Sequence, residues 1–225
     1  MPKVNPEYFS QKKSSIVDAA IRVCERKTVS SITMQDVIDE SGLSQGGIYR
    51  FYSGIDDILV DVLDRIRSEL SLEEYLMNYS PEARSPQENA KVLFQMMADH
   101  IKSHRSSYKI QFEYYLLLTN YPKRAETIWN KVHFPNPYNL MNKMVYEYIL
   151  KGISENKIKP IIPLDTYFKF MSSIFDGILK RSFSETGYVK NVLKNEDFCY
   201  DIDTLFHTAY LTSCHLLGIN NDSAI

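Results

Sequence analysis

The segment that begins at Gln45, with the sequence QGGIYR, combines several groups that can bind nucleic acid. The amide of Gln45 can form two hydrogen bonds with an adenine edge, and Arg50 can bind guanine or phosphate. Tyr49 can donate its hydroxyl to a phosphate. Gly46 and Gly47 each cost a helix about 0.8–1.0 kcal/mol relative to alanine. Their presence in so short a segment indicates that a phosphate or a base edge approaches the backbone closely.

Two short helices are predicted to position these groups. Thr33, with Asp36 three residues later, is typical of a helix N-terminus, and Gly42 is typical of the residue that ends a helix. Ser44 is predicted to cap the second short helix. Two short helices joined by a tight turn that contains glycine form a helix-turn-helix, and backbone amides at capped N-termini favour phosphate.

The same pattern supports a family resemblance. With a first helix from about Ser10 to Arg26, the sequence resembles the TetR family of transcriptional repressors from Ser10 to about residue 70. The remaining two-thirds of the chain is similar to that family only as a helical body of suitable length. The matching positions, in register, are Thr33, Val37, Ile38, Ser41, Gly42, Leu43, Ser44, Gly46, Ile48, Tyr49, Tyr52, Asp56, Asp57, Ile58 and Leu59.

The resemblance implies a set of DNA contacts and two departures from the family pattern. Ile55 stands where the family usually has lysine, so one phosphate contact is missing or is supplied by Lys12 or Lys13. Phe51 stands where the family often has histidine, and Tyr52 occupies an aromatic core position. The implied contacts place phosphates at Thr33 and Tyr49, and base edges or the adjacent backbone at Gln45, Gly46, Gly47 and Arg50, with Ser44 in the same DNA-binding set.

Composition sets limits on the function but does not identify it. Lys and Arg number 26 against 28 Asp and Glu, for a net charge of −2, so the chain as a whole does not indicate nucleic-acid binding. No apolar stretch approaches the roughly 20 residues that span a bilayer, and no signal sequence is recognisable, so we expect a cytoplasmic protein. Three cysteines without a CxxC pair indicate free thiols. No nucleophile or acid–base constellation predicts an enzyme, and we expect no cofactor and no metal.

Hydrophobic periodicity predicts an all-α chain. Ile16, Ala19, Ala20, Val23 and Cys24 form the apolar stripe of the first helix. We predict that residues 1–55 form the DNA-binding domain and residues 56–225 a helical ligand-binding and dimerisation domain. Further helices are predicted at 56–76, 87–104, 107–120, 123–133, 138–156, 164–184 and 202–217, and a loop at 187–200.

The predicted second domain is rich in aromatic residues, which suit a pocket for a flat, amphipathic or cationic compound but equally suit an ordinary core. A pocket would sense a small lipophilic or aromatic effector, with fatty acyl-CoA as the alternative, while a helical carrier that does not bind DNA is the alternative of another class. The pocket candidates are Phe94, Met97, Phe112, Tyr115, Trp129, Phe134, Tyr138 and Tyr146.

A small DNA-binding domain with so little net charge is expected to need a second copy, because two half-sites on duplex DNA lie about 34–36 Å apart. The helices at 164–184 and 202–217 are therefore predicted to form a homodimer interface, although their apolar faces could equally pack inside one chain. The expected partners are thus double-stranded operator DNA, a small-molecule effector and a second copy of the chain, with no membrane. The interface candidates are Phe168, Phe175, Leu179, Phe206 and Tyr210.

Overall fold

The computed structural model describes residues 6–219 except 82–83, 137 and 184–200. All regular structure in this part of the chain is helical, as predicted, and none of its helices is long and apolar enough to cross a membrane. The α-helices are α1 (Pro6–Arg26), α2 (Met34–Ser41), α3 (Gln45–Tyr49), α4 (Ile55–Glu69), α5 (Glu73–Met77), α6 (Pro86–Ser103), α7 (Arg105–Asn120), α8 (Pro122–Trp129), α9 (Tyr138–Ser154), α10 (Leu164–Phe183) and α11 (Ile202–Leu216).

The chain forms two compact units, and the first comprises residues 1–71 and 106–137. Here α1 packs against α2 and α4, and α8 packs against α4. The predicted apolar stripe of α1 is almost fully buried, from Ile16 to Cys24. The hydroxyl of Tyr114 on α7 donates a hydrogen bond to the Leu59 carbonyl at 2.5 Å. The first unit thus consists of a helix-turn-helix, α4 and the α7–α8 pair.

The second unit comprises residues 72–105 and 138–225. Within its described part, α11 packs against both α6 and α10. Phe94 contacts Phe175, with ring centroids 5.8 Å apart, and Phe175 stacks on Phe206 at the same distance. Tyr167 and Ser213 share a buried hydrogen bond of 2.7 Å. Aromatic side chains therefore hold these three helices together.

Two predicted helices end earlier than expected. The helix predicted at 56–76 stops at Glu69, and α5 starts separately at Glu73. Leu70 caps the C-terminus of α4 with φ of −83° and ψ of 4°, and its amide donates to the Ile66 and Ser68 carbonyls, so the helix ends there. The helix predicted at 123–133 ends at Trp129.

The predicted boundary after residue 55 does not coincide with the limits of the compact units, because residues 106–137 group with the N-terminal part of the chain. The boundaries of the functional domains remain a prediction. The loop predicted at 187–200 lies outside the described residues.

Candidate functional site

Local hydrogen bonds fix the turn between α2 and α3. Thr33 and Asp36 form the predicted capping box, with the Thr33 hydroxyl accepting from the Asp36 amide at 3.3 Å and the Asp36 carboxylate accepting from the Thr33 amide at 3.0 Å. Gly42 ends α2 with φ of +66°, a left-handed conformation that favours glycine. Ser44 then caps α3 by accepting a hydrogen bond from the Gly47 amide at 3.2 Å. The predicted helix-turn-helix is present.

The outer face of α3 is open to solvent. Gln45, Gly46, Tyr49 and Arg50 are exposed, and the Tyr49 side chain is 47% exposed. The side chains of Gln45, Tyr49 and Arg50 have no hydrogen-bond or ion-pair partner among the described residues. A planar amide, a phenol and a guanidinium are therefore exposed on α3, a helix of only five residues, and at its C-cap. All three groups remain available to bind another molecule.

The two glycines of α3 differ in their surroundings. A Cβ atom added to Gly46 would have no neighbour within 4 Å. A Cβ atom added to Gly47 would lie 3.2 Å from the Ser44 hydroxyl and 3.8 Å from the Leu43 Cβ. Folding of the described chain thus gives a packing reason for Gly47 but none for Gly46. A molecule that approaches the helix from outside would supply the reason for Gly46.

The inner face of α3 is held by buried residues. Ile48 is fully buried and Tyr52 is 4% exposed, which confirms Tyr52 as a core residue. The Tyr52 hydroxyl donates to Asp61 at 2.7 Å, and Lys13 binds the same carboxylate at 3.3 Å. Burial, with a smaller effect from Asp61, raises the pKa of Tyr52 well above its usual value. Lys13 is therefore already held in an ion pair with Asp61 inside the first unit.

The start of α1 contacts Phe51, which lies two residues after the end of α3. The rings of Phe9 and Phe51 lie 4.6 Å apart, so Phe51 packs against α1 where the family often has histidine. One turn further along, the Lys12 ammonium lies 5.9 Å from the Tyr8 ring centroid and has no acidic partner among the described residues. Tyr8 itself is 49% exposed. The start of α1 thus packs against the segment after α3 and carries a cation that has no acidic partner in the described part of the chain.

Most other cations of the helix-turn-helix are already paired. Glu40 binds Arg22 at 2.6 Å and also binds Arg26, and these hydrogen bonds hold the pKa of Glu40 below its usual value. Lys27 lies 2.5 Å from Asp36, and this hydrogen bond lowers the pKa of Asp36. The paired cations neutralise carboxylate charge that would otherwise repel an anion at this surface.

Residues between positions 106 and 137 bind α4 through hydrogen bonds and ion pairs, an arrangement that sequence periodicity did not indicate. Arg124 on α8 binds Asp56 at 2.9 Å and also donates to the Ser30 carbonyl at 3.0 Å. Asp64 accepts hydrogen bonds from the backbone amides of His133 and Phe134 at 2.8 and 2.9 Å. Because these amides bind Asp64, they do not extend α8 beyond Trp129. The signal in the sequence was the acidic residues of α4, of which Asp56, Asp57 and Asp64 have partners about 70 positions away.

The eight predicted pocket residues are divided between the two compact units. Phe112, Tyr115, Trp129 and Phe134 belong to the first compact unit. The ring of Trp129 is covered by the buried guanidinium of Arg67, which lies 4.5 Å from its centroid. Phe134 is 48% exposed and supplies its carbonyl to Arg67 at 2.9 Å. Phe112 and Tyr115 stack on each other at 6.4 Å. These four residues do not line the apolar cavity described next.

That cavity lies in the second unit, has a volume of about 90 Å³ and is walled by α5, α6, α9, Tyr167 and the end of α11. Of the predicted pocket residues only Phe94 lines it. Met97 is buried elsewhere on α6, Tyr138 begins α9, and Tyr146 is 45% exposed and contacts Phe168. Sequence reasoning missed Tyr79, Asn89 and Tyr148, whose polar ends meet beside the cavity.

The predicted interface residues differ in how deeply they are buried within the single chain. Phe206 and Tyr210 are 2% and 5% exposed in the single chain, so the alternative of core packing holds for both. Phe175 is half-buried between Phe94 and Phe206. Phe168 and Leu179 are also half-buried. The large apolar residues that α10 and α11 do expose are Phe170 at 45% and Leu211 at 44%.

The two histidines spaced four residues apart on α6 stack on each other. The rings of His100 and His104 lie 4.3 Å apart. Burial, and to a lesser extent the charge of His104, lower the pKa of His100 to about 4. Among the described residues no group of three or more His, Cys, Asp or Glu side chains is placed to hold a metal ion.

Comparisons with known proteins agree with this geometry. Residues 16–62 match the family described as bacterial regulatory proteins, tetR family. The chain is 26% identical over 184 residues to YfiR of Bacillus subtilis (strain 168), an uncharacterised HTH-type transcriptional regulator, covering 80% of this chain and 84% of the relative. The matched family segment contains α2, α3 and the first half of α4.

Two solved structures share the fold. The fatty acid degradation regulator FadR of Bacillus halodurans has a TM-score of 0.60 at 15% identity, over 97% of this chain and 100% of the other. A protein of Syntrophomonas wolfei that is provisionally assigned to the TetR family has a TM-score of 0.58 at 15% identity, over 94% and 99%. Residues 16–62 thus match the helix-turn-helix segment of bacterial regulators of the tetR family, and the chain shares its fold with these solved regulator structures.

Proposed function

We propose that the chain is a repressor that binds palindromic operator DNA as a homodimer and releases it when a small molecule binds the second unit. The observation that carries the proposal is the open outer face of α3, where Gly46 has no packing role and three hydrogen-bonding side chains have no partner. Because its partner is chromosomal DNA, we place its action in the cytoplasm, and we assign it no enzymatic activity.

In the proposed complex α3 enters the major groove. Gln45 and Arg50 contact base edges, while the Tyr49 hydroxyl binds a phosphate. Thr33 and Ser44 bring the capped N-termini of α2 and α3 to the phosphates. Gly46 and Gly47, the remaining members of the DNA-binding set, allow the backbone to approach the duplex.

Selection from a pool of randomised duplexes tests this function. The full chain should enrich an inverted repeat whose half-sites lie one helical turn apart, and sedimentation should give two chains per duplex or a multiple of two. Binding to the enriched duplex should weaken steeply as salt is raised. A pool that yields no preferred sequence and no salt-dependent binding would favour the alternative of a small-molecule carrier that does not bind DNA.

The dimer interface in this proposal lies on the exposed sides of α10 and α11. The support is the exposed Phe170 and Leu211, two large apolar side chains on helices that are otherwise polar toward solvent. Burial of such residues between two copies would be favourable, at about 25 cal/mol per Å² of apolar surface. Phe206 and Tyr210 would act only indirectly, by supporting the interface from the core.

Lys12 is the proposed replacement for the missing lysine at Ile55. We expect Lys12→Gln to weaken operator binding about fivefold and to reduce the slope of log affinity against log salt by about 0.9. Lys13→Gln should leave that slope unchanged, because Lys13 binds Asp61 and covers the Tyr52 ring. Fluorescence anisotropy at several salt concentrations measures both variants. Equal slopes for Lys12→Gln and the parent would remove Lys12 from the interface.

Gly46→Ala should affect stability and DNA binding in opposite directions. Alanine favours a helix by about 0.8–1.0 kcal/mol over glycine, and its Cβ meets nothing in the described chain, so the variant should unfold at higher urea. The same methyl group would lie between α3 and the duplex and should weaken operator binding at least tenfold. Urea denaturation and anisotropy provide the two readouts. A stabilised variant that binds DNA as tightly as the parent would contradict the close approach.

Effector response would pass through the continuous chain from α6 to α7, which are separated by a single residue. In the first unit, α7 contacts α1 through Ser106 and Lys109, which bind the Glu25 carboxylate and carbonyl at 2.7 and 3.0 Å. A ligand that shifts α6 would therefore shift a helix that holds α1. Reciprocal coupling of about 1–3 kcal/mol is expected between ligand and DNA, and operator titration with and without the ligand measures it.

A further inference from the structure

The apolar cavity of the second unit contains no charged lining residue. Its polar side chains already bind one another. The Asn89 amide donates to the Pro81 carbonyl and to the Tyr148 hydroxyl, both at 2.8 Å, and accepts from the Tyr79 hydroxyl at 2.6 Å. Tyr167 is likewise hydrogen-bonded to Ser213. Since the polar groups are satisfied, this cavity favours hydrocarbon and offers no counter-ion to a charged group.

A polar groove of about 690 Å³ shares part of its wall with the cavity. Pro86 and Ile219 line both spaces. Lys91, Lys157 and Lys159 line the groove, and Glu88 is its acidic lining residue. The groove therefore places positive charge directly beside an apolar space.

Some charged side chains of the groove already have partners, and others do not. The Glu88 carboxylate accepts hydrogen bonds from the Ser85 amide and hydroxyl, both at 2.9 Å, and is held in the cap of α6. Lys157 is paired with Glu155 at 2.7 Å. Lys91 and Lys159 have no acidic partner among the described residues. Two ammonium groups thus remain available to an anion.

Backbone packing fixes the position of Lys159. Its amide donates to the Leu217 carbonyl at 3.0 Å. The amide of Ile161, two residues later, donates to the Leu216 carbonyl at the same distance. Gly218 approaches so closely that a Cβ atom there would lie 2.0 Å from the Lys159 carbonyl oxygen. The lysine therefore stands on a rigid junction between α11 and the segment that follows α9.

The geometry points to an effector that is an amphipathic anion, with a hydrocarbon part in the cavity and a carboxylate or phosphate head in the lysine groove. This inference rests on the proposed function, because it names the ligand class of the proposed effector site. At about 90 Å³ the cavity is smaller than the roughly 150 Å³ that holds benzene in an engineered protein core. A longer tail must push its walls apart, and α6 is one of those walls, so binding and movement of α6 would be coupled.

Calorimetric titration of the full chain with three ten-carbon probes tests the inference. Decanoate and decyl phosphate carry the two candidate heads, and decanol is the neutral analogue, each kept below its micelle concentration. At least one anion should bind about tenfold or more tightly than decanol, and the tighter of the two identifies the head. Decanol binding as tightly as both anions, or no binding of any probe, would overturn the inference.

A charge-matched pair of variants locates the head group. Lys91→Gln with Lys159→Gln should remove the preference for the anion and leave decanol binding unchanged. Lys143→Gln with Lys151→Gln, two exposed lysines of α9 outside the groove, should retain the preference. An unchanged preference in the first pair would overturn the assignment. Operator titration in the presence of each probe is a separate test of the effector role. If the chain prefers the anion but no probe changes operator binding, the anion site is retained and the effector role is refuted.

Discussion

Replacement of Gln45, Tyr49 and Arg50 by alanine in one chain is expected to weaken binding of the selected operator at least 100-fold. All three side chains are exposed, and none has a partner among the described residues. A two-hydrogen-bond contact to a base contributes about 1–3 kcal/mol of discrimination, and a hydrogen bond to a charged group contributes about 1.5–3 kcal/mol. Loss of two base contacts and of the Tyr49–phosphate contact should therefore exceed the roughly 2.7 kcal/mol that corresponds to 100-fold. Because the chain itself loses no internal contact, its urea midpoint should stay close to that of the parent.

A control variant distinguishes the loss of the DNA-contacting side chains of α3 from a general loss of positive charge. Tyr121→Ala with Lys123→Ala removes one phenol and one positive charge from exposed positions at the start of α8, where neither side chain has a partner in the described part of the chain. This control should bind the operator within about twofold of the parent. Anisotropy with the same labelled duplex compares the three proteins. Parent-like affinity in the triple variant would contradict the assignment of α3 as the reading element.

Gly218→Ala is expected to destabilise the second unit by about 3 kcal/mol. Gly218 has φ of +59°, where a side chain is strained, and the new Cβ would lie 2.0 Å from the Lys159 carbonyl oxygen. Relief of that contact requires movement of the backbone, which also holds hydrogen bonds between residues 159–161 and the end of α11. Urea unfolding followed by circular dichroism measures the loss.

Gly177→Ala serves as the matched substitution in the same unit. Gly177 lies inside α10, and a Cβ atom there would have no neighbour within 4 Å, so alanine should stabilise the helix by up to about 1 kcal/mol. The two glycine substitutions are thus expected to have opposite signs. If Gly218→Ala unfolds at the urea concentration of the parent, the close backbone junction beside the lysine groove is not present in solution.

The helix-turn-helix could be predicted because its signals are local. Thr33, Gly42 and Ser44 determine helix ends through hydrogen bonds and backbone angles within a few residues. Sequence patterns carry such information directly. The resemblance placed Tyr52 in the core but gave no partner for it or for Phe51, and the structure supplies both partners: the Tyr52 hydroxyl binds Asp61, while Phe51 packs on Phe9. Neither residue type specifies its partner.

The apolar cavity of the second unit could not be predicted from aromatic content. Trp129 looked suitable for a ligand, but Arg67 covers its ring within the first unit. Periodicity predicted helices at 107–120 and 123–133, but not that Asp64 and Arg124 would join this segment to α4 and to the residues before α2. The cavity itself depends on Asn89, whose partners lie at positions 79, 81 and 148. Contacts between distant segments of the chain, more than residue types, determine where that space lies.

Dimethyl sulphate protection of the selected operator tests the central claim most directly, because the reagent methylates guanine N7 in the major groove and adenine N3 in the minor groove. Two α3 helices in a dimer should protect guanines in two major-groove windows about 34–36 Å apart and leave adenine N3 reactive. Protection of adenine N3 alone, or a single unpaired window, would contradict recognition of DNA by the exposed face of α3.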